Sequence, residues 1–278
     1  MLLCYAMGGG FGPVLRTRAV LAALGWDRDA VAVLAAPGAA RVVGDLELIA
    51  PSWDDAAEPA ALGRWIARVV AEREADALLV DALPGGVMGE LCGLGALDGL
   101  VLRHTARLLR WAGYVRRLPG PLPHYDEVLV AEPLHATHER ALATLADAVR
   151  APIDVNVSPD ETFATLDVRE APWLVVHTGP AREVRALARV ADERRGAAPL
   201  HVVCPIPVDD LPAGAERIDA VPAAPLYPGA AGIVTAAGFT TVRELAPFRD
   251  RHVCVPFDRR LDDQHERARR AWRAGAGR

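Results

Sequence analysis

The stretch "GIVTAAGFTTVRELAPFRDRHVCVPFDRRLDDQHERARRA", residues 232–271, decides how this chain is read. It opens on an apolar run that ends in Ala236-Ala237-Gly238, the pattern of a buried strand running into a turn. A helix then begins with Phe239, Thr240 and Thr241, and Glu244 falls in its second turn. Gly238 lets backbone approach a diphosphate, and Thr240 or Thr241 adds a hydroxyl donor. Glu244 offers two carboxylate oxygens to two vicinal ribose hydroxyls. After a second strand, "HVCVPF", the run "DRRLDDQ" brings Asp262, Asp263 and Gln264 to a strand-to-helix loop, where sugar hydroxyls can be met. Each also has a plainer use, since Thr240, Asp262 and Asp263 are all competent helix caps.

The alternation of apolar runs and amphipathic segments extends outward from this stretch. Upstream, "WLVVHTG" reads as a strand and turn, residues 181–194 as a helix, and "LHVVCPIP" as a strand. Nearer the N-terminus, "LLCYAM", residues 30–36, residues 46–50, "ADALLVD", "GLVLRH" and "DEVLVAEP" read as strands, with helices over 13–24 and 59–74. Residues 150–172 break the pattern with prolines, acids and no sustained period. These features predict an α/β protein of two doubly wound Rossmann-like halves: 1–152, a linker over 153–169, and 170–278. Two such halves imply a cleft, with ligands at the carboxyl ends of the strands.

Composition removes several classes of chemistry. All 31 basic residues are arginine, so a Walker phosphate loop, a pyridoxal Schiff base and a lysine nucleophile are excluded. A net charge of −5 with no basic block before the C-terminus gives no expectation of nucleic-acid binding. The four cysteines form no CxxC pair, and Cys4, Cys204 and Cys254 lie in strand-like runs, as buried thiols do. Neither a signal peptide nor a membrane-length apolar run is present, so the expected location is cytoplasmic. The tail "HERARRAWRAGAGR" spaces Arg267, Arg270 and Arg273 about one turn apart, the pattern of a solvated face; contact with a membrane surface is the weaker reading.

The opening loop "GGGFGPVLRTR", residues 8–18, fails as a dinucleotide fingerprint. Pro13 stands where the third glycine belongs, and the second strand ends "VLAAPG" with no acid for a ribose. What remains is a glycine-rich turn at a helix N-terminus, suited to an anion, with Pro13 at home in the first helical turn.

Taken together, the order G-x-x-T-x-x-E, then V-P-F, then D-D-Q followed by R-A resembles the nucleotide-sugar half of GT-B glycosyltransferases. The likeness is to the MurG-like family 28 type and the related PseG-type nucleotide-sugar hydrolases, through Gly238, Thr241, Glu244, Pro256, Asp263, Gln264, Arg267 and Ala268. "VVHTGP" takes the place of the family's glycine-rich loop, offering Thr178 and Gly179. "VDALPGGVMGEL" resembles the D-x-x-P-x-G-x-x-x-E-L stretch of GT-B-like proteins, with Asp81 ending a strand and Glu90 on a following helix in a structural role. The opening loop aligns with G-x-G-H-x-x-R, keeping Gly10, Gly12 and Arg16 but carrying Pro13 in the histidine place.

The resemblance implies a UDP-sugar bound by the C-terminal half in the cleft, an acceptor entering near residues 8–16, inverting transfer, and neither a metal nor a cofactor. Histidine is the natural general base near neutral pH and proline takes no proton, so the base must lie elsewhere. Asp81 and His104 are the candidates, and His177 is a further histidine in a loop. His135 and His138, three apart, lack the further ligands of a metal site. Two alternatives to transfer stand: a nucleotide-sugar-binding or regulatory protein that has lost catalysis, and a hydrolase using another base.

Overall fold

The computed structural model describes residues 1–150, 153, 155 and 171–275. The linker expected over 153–169 falls outside the described residues, except for positions 153 and 155. By internal contacts the chain divides into two units, Met1–Val155 with Arg260–Asp262, and Asn156–Arg259 with Asp263–Arg278.

The first unit is a seven-stranded sheet. Its strands are β1 (Leu2–Tyr5), β2 (Val31–Leu34), β3 (Glu47–Ile49), β4 (Ala77–Asp81), β5 (Val101–Ala106), β6 (Tyr125–Val130) and β7 (Ala146–Arg150). They lie in the order β3-β2-β1-β4-β5-β6-β7, and every pairing is parallel. Helices α1 (Gly12–Ala23), α2 (Pro59–Glu72), α3 (Trp111–Val115) and α4 (Ala136–Leu145) connect them. Parallel strands need such crossovers, and covering the sheet on both faces explains why β1, β2 and β4 are buried throughout. On one face, Leu62, Trp65, Ile66, Val69 and Val70 of α2 recur at helical spacing and pack with Leu3, Tyr5, Leu78 and Val80. Each such side chain stabilises the fold by about 1.5–3 kcal/mol when fully buried.

The second unit repeats the plan with five parallel strands: β8 (Trp173–Val176), β9 (Leu200–Val203), β10 (Ala215–Ile218), β11 (Gly232–Ala236) and β12 (His252–Val255). Their order is β10-β9-β8-β11-β12. Helix α5 (Ala181–Arg195) lays Val184, Leu187, Ala188 and Ala191 on Val175, Leu200, Val202 and Val234. Helices α6 (Phe239–Glu244) and α7 (Gln264–Gly275) follow β11 and β12.

The order reverses between β1 and β4 in one sheet and between β8 and β11 in the other. At each reversal the two neighbouring crossovers leave on opposite faces, which opens a crevice at the carboxyl ends of the strands. Residues 6–11 and 82–90 flank the first reversal. Residues 177–180 and 237–238 flank the second.

Two expectations are corrected here. Glu90 lies on no helix: the segment after β4 is a succession of turns with Gly86 at φ +88 and Gly89 at φ +92, conformations that glycine adopts without a Cβ clash. Arg267 is not on a solvated face but is 4% exposed.

Candidate functional site

At the first reversal, the side chains expected to meet a ligand or move a proton are used inside the fold. Asp81, at the end of β4, receives Arg16 of α1 in a bidentate pair of 2.6 and 2.5 Å, with both side chains buried. The arginine fork is thereby committed to a carboxylate, and neither residue is presented as a free charge. His104 on β5 is fully buried, with Nδ1 2.9 Å from the Val80 carbonyl. That bond places the ring proton on Nδ1, and Nε2 has no partner among the described residues. Desolvation carries the pKa of His104 down to about 4, against the Val80 bond, so the ring is neutral and enclosed. Asp81, 4% exposed, and His104, 0% exposed, are thus both enclosed within this unit.

Gly10 lies in the loop before α1, exposed with φ +145, and Gly12 is the first residue of α1. Glu90 holds the next loop: its carboxylate accepts from the Tyr5 hydroxyl, from the Val87 N–H at 3.1 Å and from the Met88 N–H at 2.7 Å. A Cβ at Gly86 would lie 2.5 and 2.7 Å from the Glu90 oxygens, so the turn requires glycine for space as well as for φ. His138 is buried with both ring nitrogens unpartnered among the described residues, stacked on Trp111 at a centroid separation of 4.2 Å.

The second reversal gathers more of the predicted residues. Gly238 is the N-cap position of α6, and it contributes no side-chain cap. Thr240, on the first turn, is 7% exposed, and its hydroxyl has no hydrogen-bond partner among the described residues. Thr241 and Glu244 are partly exposed on the same helix. Glu244 Oε2 accepts from the Tyr227 hydroxyl at 3.1 Å. Burial pushes the Glu244 pKa up to about 7, and the Tyr227 hydrogen bond only partly offsets this. Across the reversal, Thr178 is exposed and Gly179 half-buried in the loop after β8.

The D-D-Q run divides three ways. Asp262 pairs with Arg107 of the first unit, to which it belongs by contacts. Asp263 caps α7, accepting the Glu266 N–H at 3.1 Å. Gln264 is buried and accepts the Phe257 N–H at 3.0 Å through Oε1, which fixes the turn after β12.

Tyr227, Glu183 and Arg259 carry no local signal in the sequence, and Arg267, a residue of the motif, has a role that the motif does not reveal. Tyr227 comes from a 3-10 turn before β11. Arg267 reaches back from α7 to donate to the Ala237 carbonyl at 3.0 Å, bracing the turn that ends in Gly238. Glu183, in the first turn of α5, accepts from His177 Nε2 at 2.8 Å and from both terminal nitrogens of Arg259. Burial raises the Glu183 pKa, but the bonds from Arg259 and His177 outweigh it and hold the carboxyl below its usual range. Burial lowers the pKa of His177 more than Glu183 raises it.

Two parallel doubly wound sheets in tandem define the GT-B glycosyltransferase fold, and comparison with solved structures shows that fold over nearly the whole chain. The glycotransferase of kitacinnamycin is 14% identical, with a TM-score of 0.59 over 99% of this chain and 84% of that one. The glycosyltransferase SnogD from Streptomyces nogalater is 16% identical, with a TM-score of 0.54 over 100% and 85%. S. aureus MnaA, solved with UDP, is 12% identical, with a TM-score of 0.62 over 99% and 87%. At these identities the likeness establishes the shared fold. No protein-family model matches the sequence, and no curated protein does. Among the described residues, no helix is long and apolar enough to cross a membrane.

Proposed function

We propose that the protein binds a nucleotide sugar, with UDP as the nucleotide, and transfers the sugar to an acceptor hydroxyl. The observation that carries this reading is the β8/β11 reversal. There Gly238, the partly exposed Thr241 and the partly accessible Glu244 carboxylate stand in the order of the G-x-x-T-x-x-E motif, beside the buried Thr240 hydroxyl that has no partner among the described residues, in a fold shared with glycosyltransferases.

In this reading Glu244 takes the ribose hydroxyls, and Gly238, Thr240 and Thr241 meet the diphosphate together with Thr178 and Gly179. Backbone N–H groups and hydroxyls aimed at the diphosphate stabilise the charge that builds on it as the glycosidic carbon departs. Asp263 and Gln264 act on the site through the turns they fix. Gly10 and Gly12 leave room for the acceptor. The same fold holds UDP in MnaA, which supports the choice of nucleotide.

Calorimetric titration with UDP, UDP-glucose, UDP-N-acetylglucosamine and dTDP-glucose tests binding, and nucleotide release in the presence of phenolic and sugar acceptors tests transfer. Binding with acceptor-dependent release is expected. Binding without release would favour the second reading, a nucleotide-sugar-binding protein without turnover, to which Pro13 in the histidine place points.

A further inference from the structure

Pro13, in the place of the motif's histidine, takes no proton, and the Asp81 and His104 side chains of the first unit are enclosed and offer no accessible acceptor. The second unit does. His177 is the first residue after β8, at the carboxyl edge of the β8/β11 reversal. Its Nε2 is held 2.8 Å from Glu183 Oε2. Arg259 grips the same carboxylate through both terminal nitrogens, which keeps Glu183 ionised. A carboxylate has no proton to give, so the shared hydrogen belongs to His177 Nε2, and the lone pair of the neutral ring is on Nδ1.

The loop is shaped around this contact. A Cβ on Gly179 would overlap the His177 ring and lie 3.2 Å from Glu183 Oε2. Phe257 flanks the ring at a centroid separation of 5.9 Å, and the His177 side chain is 9% exposed. A histidine with its tautomer fixed by a buried carboxylate is the arrangement in which an imidazole accepts a proton and the carboxylate stabilises the resulting cation.

We propose that His177 Nδ1, with Nε2–H held by Glu183, is the general base of the transfer, and that Glu183 and Arg259 are its positioning residues. This rests on the glycosyl-transfer reading. The acceptor oxygen forms the bond to the anomeric carbon, and the bond from that carbon to the diphosphate oxygen breaks, its electron pair leaving on the diphosphate. The acceptor hydroxyl proton moves to His177 Nδ1. The imidazolium keeps its second proton on Nε2, hydrogen-bonded to Glu183, and returns the first from Nδ1 to solvent after the product leaves. The charged groups facing the ring are Glu183 from α5 and Arg259 from the loop after β12, so protonation of the ring meets one carboxylate and one guanidinium.

Three measurements test this. Long-range nitrogen–proton NMR of the wild-type chain reads the tautomer directly: an Nε2–H ring with an unprotonated Nδ1 at pH 7 is expected, and an Nδ1–H ring overturns the proposal without reference to any substrate. UDP titration of His177→Gln reads the site itself. Nucleotide release from UDP-glucose with a phenolic acceptor reads the chemistry. His177→Gln is expected to bind UDP within about threefold of wild type while turnover falls about 10²–10³-fold, the usual contribution of a general base. The fall of wild-type turnover on acidification should disappear in the residual activity of the variant. Glu183→Gln should shift that fall in pH and reduce turnover less.

Turnover unchanged in His177→Gln, or UDP binding and thermal stability lost in step with turnover, makes the cluster a structural clamp and overturns the proposal. Wild type that binds UDP but releases no nucleotide overturns the base assignment and leaves the binding site standing. Wild type that binds no nucleotide at all overturns the glycosyl-transfer reading instead.

Discussion

The Tyr227 hydroxyl donates to Glu244 Oε2 across 3.1 Å, joining a turn that precedes β11 to the helix that follows it. One carboxylate oxygen is thereby given a fixed partner, and the side chain is oriented from below. In the proposed reading the other oxygen meets the ribose. This pair links the packing of the second sheet to its candidate chemistry, because Tyr227 is itself buried in an apolar cluster with Leu174, Val203, Ile233 and Leu245.

The same burial makes Glu244 costly. Its folded pKa of about 7 lies above the ordinary value of 4.5, so the folded chain holds the extra proton between those limits. Stability from this group is present at low pH and is lost as pH rises through about 7, with a slope approaching 1.4 kcal/mol per pH unit inside the window. Glu244→Gln should therefore match wild type near pH 4.5 and exceed it at pH 8 by on the order of 3 kcal/mol. Chemical denaturation across that range checks it; a gap that does not change with pH counts against the buried carboxyl.

His138 runs in the opposite direction. Burial, with smaller contributions from His104, His135 and Arg107, lowers its pKa to about 3 from 6.5. The unfolded chain binds the proton first on acidification, so stability is fully present above pH 6.5 and falls as pH drops toward 3. His138→Phe keeps the stack on Trp111 and removes two unpartnered nitrogens, and should raise stability at pH 5 by about 1–3 kcal/mol. Equal midpoints at pH 5 would show that the nitrogens are satisfied in solution.

The Arg16–Asp81 pair should behave as a buried ion pair. Asp81→Asn leaves the guanidinium in a site 4% exposed and should cost about 3–5 kcal/mol. Arg16→Met with Asp81→Asn should recover part of that loss, because no buried charge remains. Urea unfolding of the single and double variants measures the coupling; additive losses would mean the two charges do not meet.

Gly86 and Gly93 separate space from backbone conformation. Both have positive φ, +88 and +66, but an added Cβ meets nothing at Gly93 and meets the Glu90 carboxylate at Gly86. Gly93→Ala should cost about 1 kcal/mol and Gly86→Ala at least about twice that. Thermal melts of the two variants compare them, and equal losses would contradict the cradle around Glu90.

Most of the fold was legible because parallel strands buried on both faces write themselves as apolar runs, and the helices between them as periodic ones. The two strands without such a signature, β7 and β10, are edge strands whose side chains are largely exposed: "ADAVR" and "AERI" contain no apolar run from which a strand is expected. The site was legible where its residues are consecutive, from Gly238 to Glu244. It was illegible where partners arrive from distant segments, as Tyr227 and Arg259 do. A motif also could not reveal that Arg16 and Asp81 would neutralise one another, or that His104 would be enclosed, since both depend on packing between strands far apart in sequence.

The most direct test is isothermal titration of UDP into wild type and Glu244→Ala at pH 8, where the carboxyl is ionised. A carboxylate accepting ribose hydroxyls contributes about 1.5–3 kcal/mol. The predicted result is saturable binding to wild type, weakened about 10–100-fold in the variant, with the fold retained. No saturable heat with wild type, or the same affinity in both proteins, would contradict the placement of a nucleotide at the β8/β11 reversal.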